Sequence, residues 1–182
     1  MAAQHECEYV SEQFCSAYGG VYEECTSACR HDPLADVCTM QCVPVCDLDP
    51  HADDYRDIQA ALDAAQAVWV TAELQEYAAV QQVSCFCITD YIRPISFDVL
   101  DGVIDTSSAM YADDQGGELG EFAPDLLTVE ELFTLIQEAI DSKAATITVS
   151  YDEDLGYPTS LWIDQSEMMA DEERGYSYTI SL

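Results

Sequence analysis

Thr146-Ile147-Thr148-Val149-Ser150-Tyr151 decides the fold class, because Ile147, Val149 and Tyr151 alternate with the hydroxyl-bearing Thr146, Thr148 and Ser150. A period of two places one set of side chains on a buried face and the other in water, which is the pattern of a half-buried strand. The pattern recurs twice towards the C-terminus. Leu161 and Ile163 alternate with Ser160 and Asp164, and Tyr176, Tyr178, Ile180 and Leu182 alternate with Ser177, Thr179 and Ser181. Three such stretches joined by acidic loops predict an antiparallel meander, and a meander with one apolar face needs helices to cover it.

Working outward, Thr128 and Glu131 form a capping box, Leu127 and Leu132 a hydrophobic staple, and Leu132, Phe133, Ile136, Ala139 and Ile140 a buried stripe. They predict a helix that ends near Lys143. Ile58, Leu62, Ala65, Trp69 and Ala72 step by four and three, predicting a longer helix from about Asp54 to Val80 with Trp69 as a core anchor. Between the helices, Val83 to Ile88 reads as a strand, Ile95, Phe97 and Val99 as a second, and Asp101-Gly102 as a hairpin turn into a third. Residues 109 to 127, with Tyr111, Asp113, Asp114, Gly116, Gly117 and Gly120, read as an exposed loop of the sort that binds something. An offset of 64 residues lays Trp69 on Phe133, Cys85 on Val149, Cys87 on Tyr151 and Pro94 on Pro158. The fold class expected is therefore α+β: two helices on one face of a mainly antiparallel six-stranded sheet, built as a helix-plus-three-strand duplication.

The N-terminal part is of another kind. Of nine cysteines, Cys7, Cys15, Cys25, Cys29, Cys38, Cys42 and Cys46 fall in the first 46 residues. Cysteines four apart share a helix face, and Asp32-Pro33 between the pairs supplies an N-cap and a proline at the first helical position. The spacing predicts a helical hairpin stapled by Cys25 with Cys42 and Cys29 with Cys38. Residues 1–52 are expected to form this cysteine-rich appendage and a polar linker, and 53–182 the α+β domain. Cys85 and Cys87, read as two apart on a strand, suit a short disulfide, a pair of free thiols or a bridge to Cys7.

Composition restricts function. The 182 residues carry 36 Asp and Glu against 5 Lys and Arg, a formal net charge of −31. Nucleic acid and anionic membranes are not expected as partners, since binding to either rests largely on Lys and Arg. A metal ion, a basic protein patch, or a saline medium in which carboxylates keep the chain hydrated would each fit this charge. Asp152, Asp154, Asp164 and Asp171 are the metal-site candidates, with calcium as the cation, although Asp152 to Gly156 lacks the length and the later bidentate Glu of an EF-hand loop. All three histidines, His5, His31 and His51, lie in the appendage or linker. With no imidazole base, glycine-rich phosphate loop or clustered ligands in the main domain, the expectation is a non-enzymatic binding or interaction module without a cofactor. Cysteine usage points to an extracytoplasmic compartment, periplasmic, secreted or lipid-anchored. No apolar run reaches the roughly 18 residues of a membrane span. Met1 to Glu6 does not read as a signal peptide, so an export signal is expected to have been removed.

Two resemblances add to this reading. Tyr22 to Cys29 and Cys38 to Cys46 resemble trypsin-inhibitor-like domains, although Pro33 and Leu48 stand at two of that family's cysteine positions. The resemblance implies the pairs Cys15–Cys46, Cys25–Cys42 and Cys29–Cys38. It also implies a serine protease inhibitor, the alternative function, with Thr39, Met40 and Gln41 as the inhibitory loop and Met40 at the specificity position. Further on, Cys85-Phe86-Cys87, Arg93-Pro94, Asp101-Gly102, Thr128 to Phe133, Tyr151-Asp152, Gly156-Tyr157-Pro158, Ile163-Asp164, and Asp171-Glu172-Glu173 with Tyr176 form an ordered series of motifs. In that order they resemble, over roughly residues 60 to 182, a bacterial exported family catalogued as domain of unknown function 6174. This resemblance implies export or lipid anchoring and no activity.

Overall fold

The computed structural model describes residues 6–27, 42–48, 52–166, 168–169 and 171–182. The chain divides into two compact units, Met1–Arg56 and Asp57–Leu182.

In the first unit, β1 (Glu6–Glu8), α1 (Glu12–Ala17), β2 (Val21–Ser27) and β3 (Cys42–Asp47) form a small sheet in the order β1-β3-β2 with a helix. Ser11 caps α1 by accepting a hydrogen bond from the Phe14 N–H. Cys15 on α1 is bonded to Cys46 on β3, and both are fully buried beside Val43 and Val45. Cys25 on β2 is bonded to Cys42 on β3. Cys25 and Cys42 therefore stand on neighbouring strands and not on paired helices, which corrects the hairpin expectation at these positions. A bridge between antiparallel neighbours needs only closely facing backbones, and Val43 and Val45 alternate inward along β3. Cys29, Cys38 and Thr39-Met40-Gln41 lie outside the described residues. Cys7 is a free thiol among the described residues.

The main unit contains α2 (Ala52–Ala72, which begins in the first unit), β4 (Tyr77–Ser84), β5 (Ile95–Leu100), β6 (Val103–Tyr111), α3 (Val129–Asp141), β7 (Thr146–Tyr151), β8 (Pro158–Asp164) and β9 (Arg174–Ser181). The six strands form one sheet in the order β6-β5-β4-β9-β8-β7, with antiparallel neighbours throughout. The fold is thus α+β with a helix-then-three-strands order occurring twice. The first helix stops earlier than the apolar stripe predicted, at Ala72, and the strand expected at Val83 begins at Tyr77. Tyr77, Ala79, Gln81 and Val83 all point into the core, so the period of two takes over from the helical period well before Val80. Cys85 and Cys87 consequently lie just past the strand, not on it.

Leu62, Ala65 and Trp69 of α2 and Leu132, Phe133, Ile136 and Ala139 of α3 pack with Phe97, Leu161 and Tyr178 of the sheet in one core. Trp69 sits edge-on to Tyr77 at 5.6 Å between ring centroids and donates its indole N–H to Glu130 at 2.8 Å. The capping box forms: Thr128 accepts from the Glu131 N–H, and the Glu131 carboxylate accepts from the Thr128 N–H. Three sheet side chains hold the approach to this helix. Gln81 donates to the Asp125 carbonyl and accepts from the Leu127 N–H, Tyr178 donates to the Leu127 carbonyl, and Tyr77 accepts from the Val129 N–H. Burial pushes the Tyr178 phenol above its ordinary pKa and so keeps it a donor.

Because β6 runs to Tyr111, the glycine-rich loop starts later than residue 109, and it is clamped. Arg93 grips Asp113 with two hydrogen bonds, at 2.6 and 2.8 Å, donates a third to the Gly116 carbonyl, and lies over the Tyr111 ring. The same carboxylate accepts from the Gln115 and Gly116 N–H groups. With the Arg93 hydrogen bond as the main cause, the Asp113 carboxyl falls from 3.8 to about 2. A carboxylate pKa lowered on folding stabilises the folded state above its unfolded value, and that contribution disappears as pH falls through the folded value. Asp113→Asn should therefore melt below the native chain at neutral pH, with the gap closing between pH 3.8 and about 2. Thermal melts across this range check the point, and a gap unchanged down to pH 2 would contradict the clamp.

Candidate functional site

With the helices on one face, the opposite face of the sheet is built from the alternate residues of each strand. Cross-strand register sets them in rows. Thr148, Trp162, Gly175 and Ser84 form one row across β7, β8, β9 and β4; Ser150, Ser160, Ser177 and Gln82 form the next. Thr179 stands beside Val80 and Ser181 beside Ala78. None of these side chains is charged, in a chain of net charge −31. Asp98, beside Ala78, and Asp164, beside Thr146, border the uncharged patch. The spacing of such a lattice is about 4.8 Å across strands and roughly 6.8 Å between same-face residues along one.

Trp162 is the aromatic centre of this patch, 41% exposed. It lies where it does because its row neighbour is glycine. A Cβ at position 175 would come 2.8 Å from Cε3 of the indole and 3.3 Å from Cζ3. The absent side chain lets the ring settle on the backbone of β9, with hydroxyls on neighbouring strands. Such an array presents a flat apolar plate bordered by groups that each donate and accept a hydrogen bond.

Residues 61–181 match the family described as Family of unknown function (DUF6174). The chain belongs to DUF6174. No curated protein and no solved structure matches it. The DUF6174 region takes in every strand of the uncharged patch and both residues of the Trp162–Gly175 contact.

The acidic candidates within the DUF6174 region sit elsewhere. Asp152 serves its own turn, accepting from the Asp154 and Leu155 N–H groups through one oxygen. Asp164 and Glu172 both accept from the Ser166 N–H, which draws the two ends of the acidic β8–β9 loop together. Among the described residues no three carboxylate, thiol or imidazole side chains converge as a metal site would require, so Asp152, Asp154, Asp164 and Asp171 are not brought into one group. Cys85 and Cys87 are bonded to each other. Among the described residues no helix is long and apolar enough to cross a membrane.

The outward halves of β7 and β9 were readable as mostly Ser and Thr, but the uncharged patch depends on β4 pairing with β9, far apart in sequence. Trp162 stands between the alternating Leu161 and Ile163 and so falls on the outer face. Its glycine neighbour follows from register alone.

Proposed function

We propose that this DUF6174 chain is a non-enzymatic, extracytoplasmic binding module whose open sheet face takes an uncharged polysaccharide. The observation that carries the reading is the Trp162 ring lying on Gly175 among hydroxyl and amide side chains, with no charge in the rows. The axial C–H face of a pyranose ring is apolar and stacks on an indole, while its equatorial hydroxyls need partners that donate and accept. The surrounding carboxylates disfavour an anionic polymer, and the charge-free rows leave a neutral one unopposed. A protein partner fits less well, because protein interfaces are depleted in Ser and enriched in Arg and aromatic residues. The disulfides among the described residues support an oxidising, exported setting, reached through a cleaved signal or a lipid anchor. The repeated helix-plus-meander order supports reading the two halves as a duplication.

The chain has two tryptophans, and Trp69 is buried. Acrylamide quenching therefore reports chiefly on Trp162. Soluble neutral glucans and xylans, tested as a panel on the full oxidised chain, should include one that protects this fluorescence. Trp162→Ala should weaken that binding about tenfold, corresponding to roughly 1.4 kcal/mol of lost stacking. Gly175→Val, which displaces the ring without removing it, should weaken it too. Protection that appears with rising protein concentration and no glycan would assign the face to a second copy. No protection by any neutral polymer would remove the proposal.

A further inference from the structure

The bond between Cys85 and Cys87 is unlike the other two bonds among the described residues. Its cysteines are separated by 2 positions, against 31 for Cys15–Cys46 and 17 for Cys25–Cys42. A cross-link stabilises chiefly by restricting the unfolded chain, and the effect grows with the loop closed. A bond that spans a single residue contributes little of this, so opening it leaves the fold nearly as stable.

Access separates it from one of them. Cys15 and Cys46 are sealed in the core of the first unit, whereas Cys87 is exposed and Cys85 partly so. Cys25 and Cys42 are exposed too, and it is the length of the loop closed that distinguishes their bond from Cys85–Cys87. Exchange requires an incoming thiolate to reach a sulfur, and Cys87 offers the more open approach. Both residues also line a cavity of about 510 Å³, together with Leu135, Ile163, Met169 and Tyr176. Phe86, between the two cysteines, is 86% exposed, and Met169 is 57% exposed. Large apolar side chains held in water next to a cavity cost hydration free energy that a seated ligand recovers.

We propose that Cys85–Cys87 is a thiol–disulfide exchange site that passes its bond to a dithiol on an extended, apolar polypeptide segment seated against Phe86 and Met169. A thiolate of the segment attacks Cys87 Sγ, and the bond to Cys85 breaks with its electron pair leaving on Cys85 Sγ, which takes a proton from water. The segment's second thiolate then attacks its own sulfur in the mixed disulfide, releasing Cys87 as a thiolate that is protonated in turn. The segment is oxidised by two electrons, and Cys85 and Cys87 are reduced by the same two. One bond is transferred per molecule and no other oxidant enters. Arg174 lines the cavity and favours the departing thiolate, while Asp171, Glu172 and Glu173 repel an anionic thiol such as glutathione.

The test uses the full oxidised chain and a reduced, uncharged synthetic peptide with two cysteines among Leu and Phe residues. Samples are alkylated at intervals and mapped by mass spectrometry. The expected result is peptide disulfide appearing in step with thiols at Cys85 and Cys87, at least about tenfold faster than thiols at Cys15, Cys46, Cys25 or Cys42. The double variant Cys85→Ala, Cys87→Ala should abolish the transfer. An unreacted Cys85–Cys87 bond, or transfer that survives in the double variant, would overturn the proposal. The mapping on the native chain decides the matter even if the variant folds poorly.

Discussion

Gly156→Ala is expected to lower the stability of the main unit by about 3 kcal/mol and its melting temperature by about 10 °C. Two separate costs combine. Gly156 holds a φ of +79° in the turn between β7 and β8, where an L side chain costs roughly 1–2 kcal/mol. Its added methyl group would also stand 2.4 Å from the Ala65 carbonyl oxygen, 2.9 Å from Val68 Cβ and 3.1 Å from the Trp69 nitrogen. Those atoms belong to α2 close to its spine, so relief requires the helix to move off the turn. Overpacking of this kind adds about 1–3 kcal/mol. Gly102 provides the control, since its φ is +73° and a Cβ there would meet nothing within 4 Å. Gly102→Ala should cost only the backbone share, about one third to one half as much. Thermal and urea melts of the two variants decide it. Equal losses would mean that the turn does not bear on α2.

Gln81→Leu is expected to cost about 3 kcal/mol, although it replaces a polar side chain in the core by an apolar one of similar size. Gln81 is 1% exposed and satisfies both a carbonyl and an N–H of the strand-like approach to α3, each at 2.9 Å. Leucine would leave the Asp125 carbonyl and the Leu127 N–H without these partners, and an unmet buried group costs about 1–3 kcal/mol. Tyr178→Phe removes a third bond to the same segment, at 3.0 Å. The two changes should combine non-additively, because each loosens the backbone the other holds. Hydrogen exchange gives the sharper reading: the Leu127 amide should lose protection in Gln81→Leu while amides of β8 keep theirs. A variant as stable as the native chain, with Leu127 still protected, would show that the segment is held by packing alone.

The strands of the second half were legible because Ile147, Val149 and Tyr151, then Leu161 and Ile163, then Tyr176 and Tyr178 keep strict alternation through β7, β8 and β9. Thr128 and Glu131 were legible because a capping box is a local chemical pattern. The end of α2 was not, since Ala72, Ala78 and Val80 extend an apolar series that either period can absorb. Spacing also misled at Cys25, because C-x3-C fits one face of a helix and says nothing against a strand whose partner faces it across a sheet. The Gly156 and Gln81 contacts join residues 44 or more positions apart. No local pattern announces such partners.

The adjacency of β4 and β9 also orders events in time. The two meanders are each made of successive strands and can assemble as soon as they are synthesised, but only β9 joins one to the other. Until Arg174–Ser181 is available, the inner edges of both halves remain unpaired, and such edges invite mispairing. The central seam of the sheet thus cannot close before that strand is present, and in a chain carried through a narrow conduit from its N-terminal end the sheet itself would stay in two pieces until the final strand emerged.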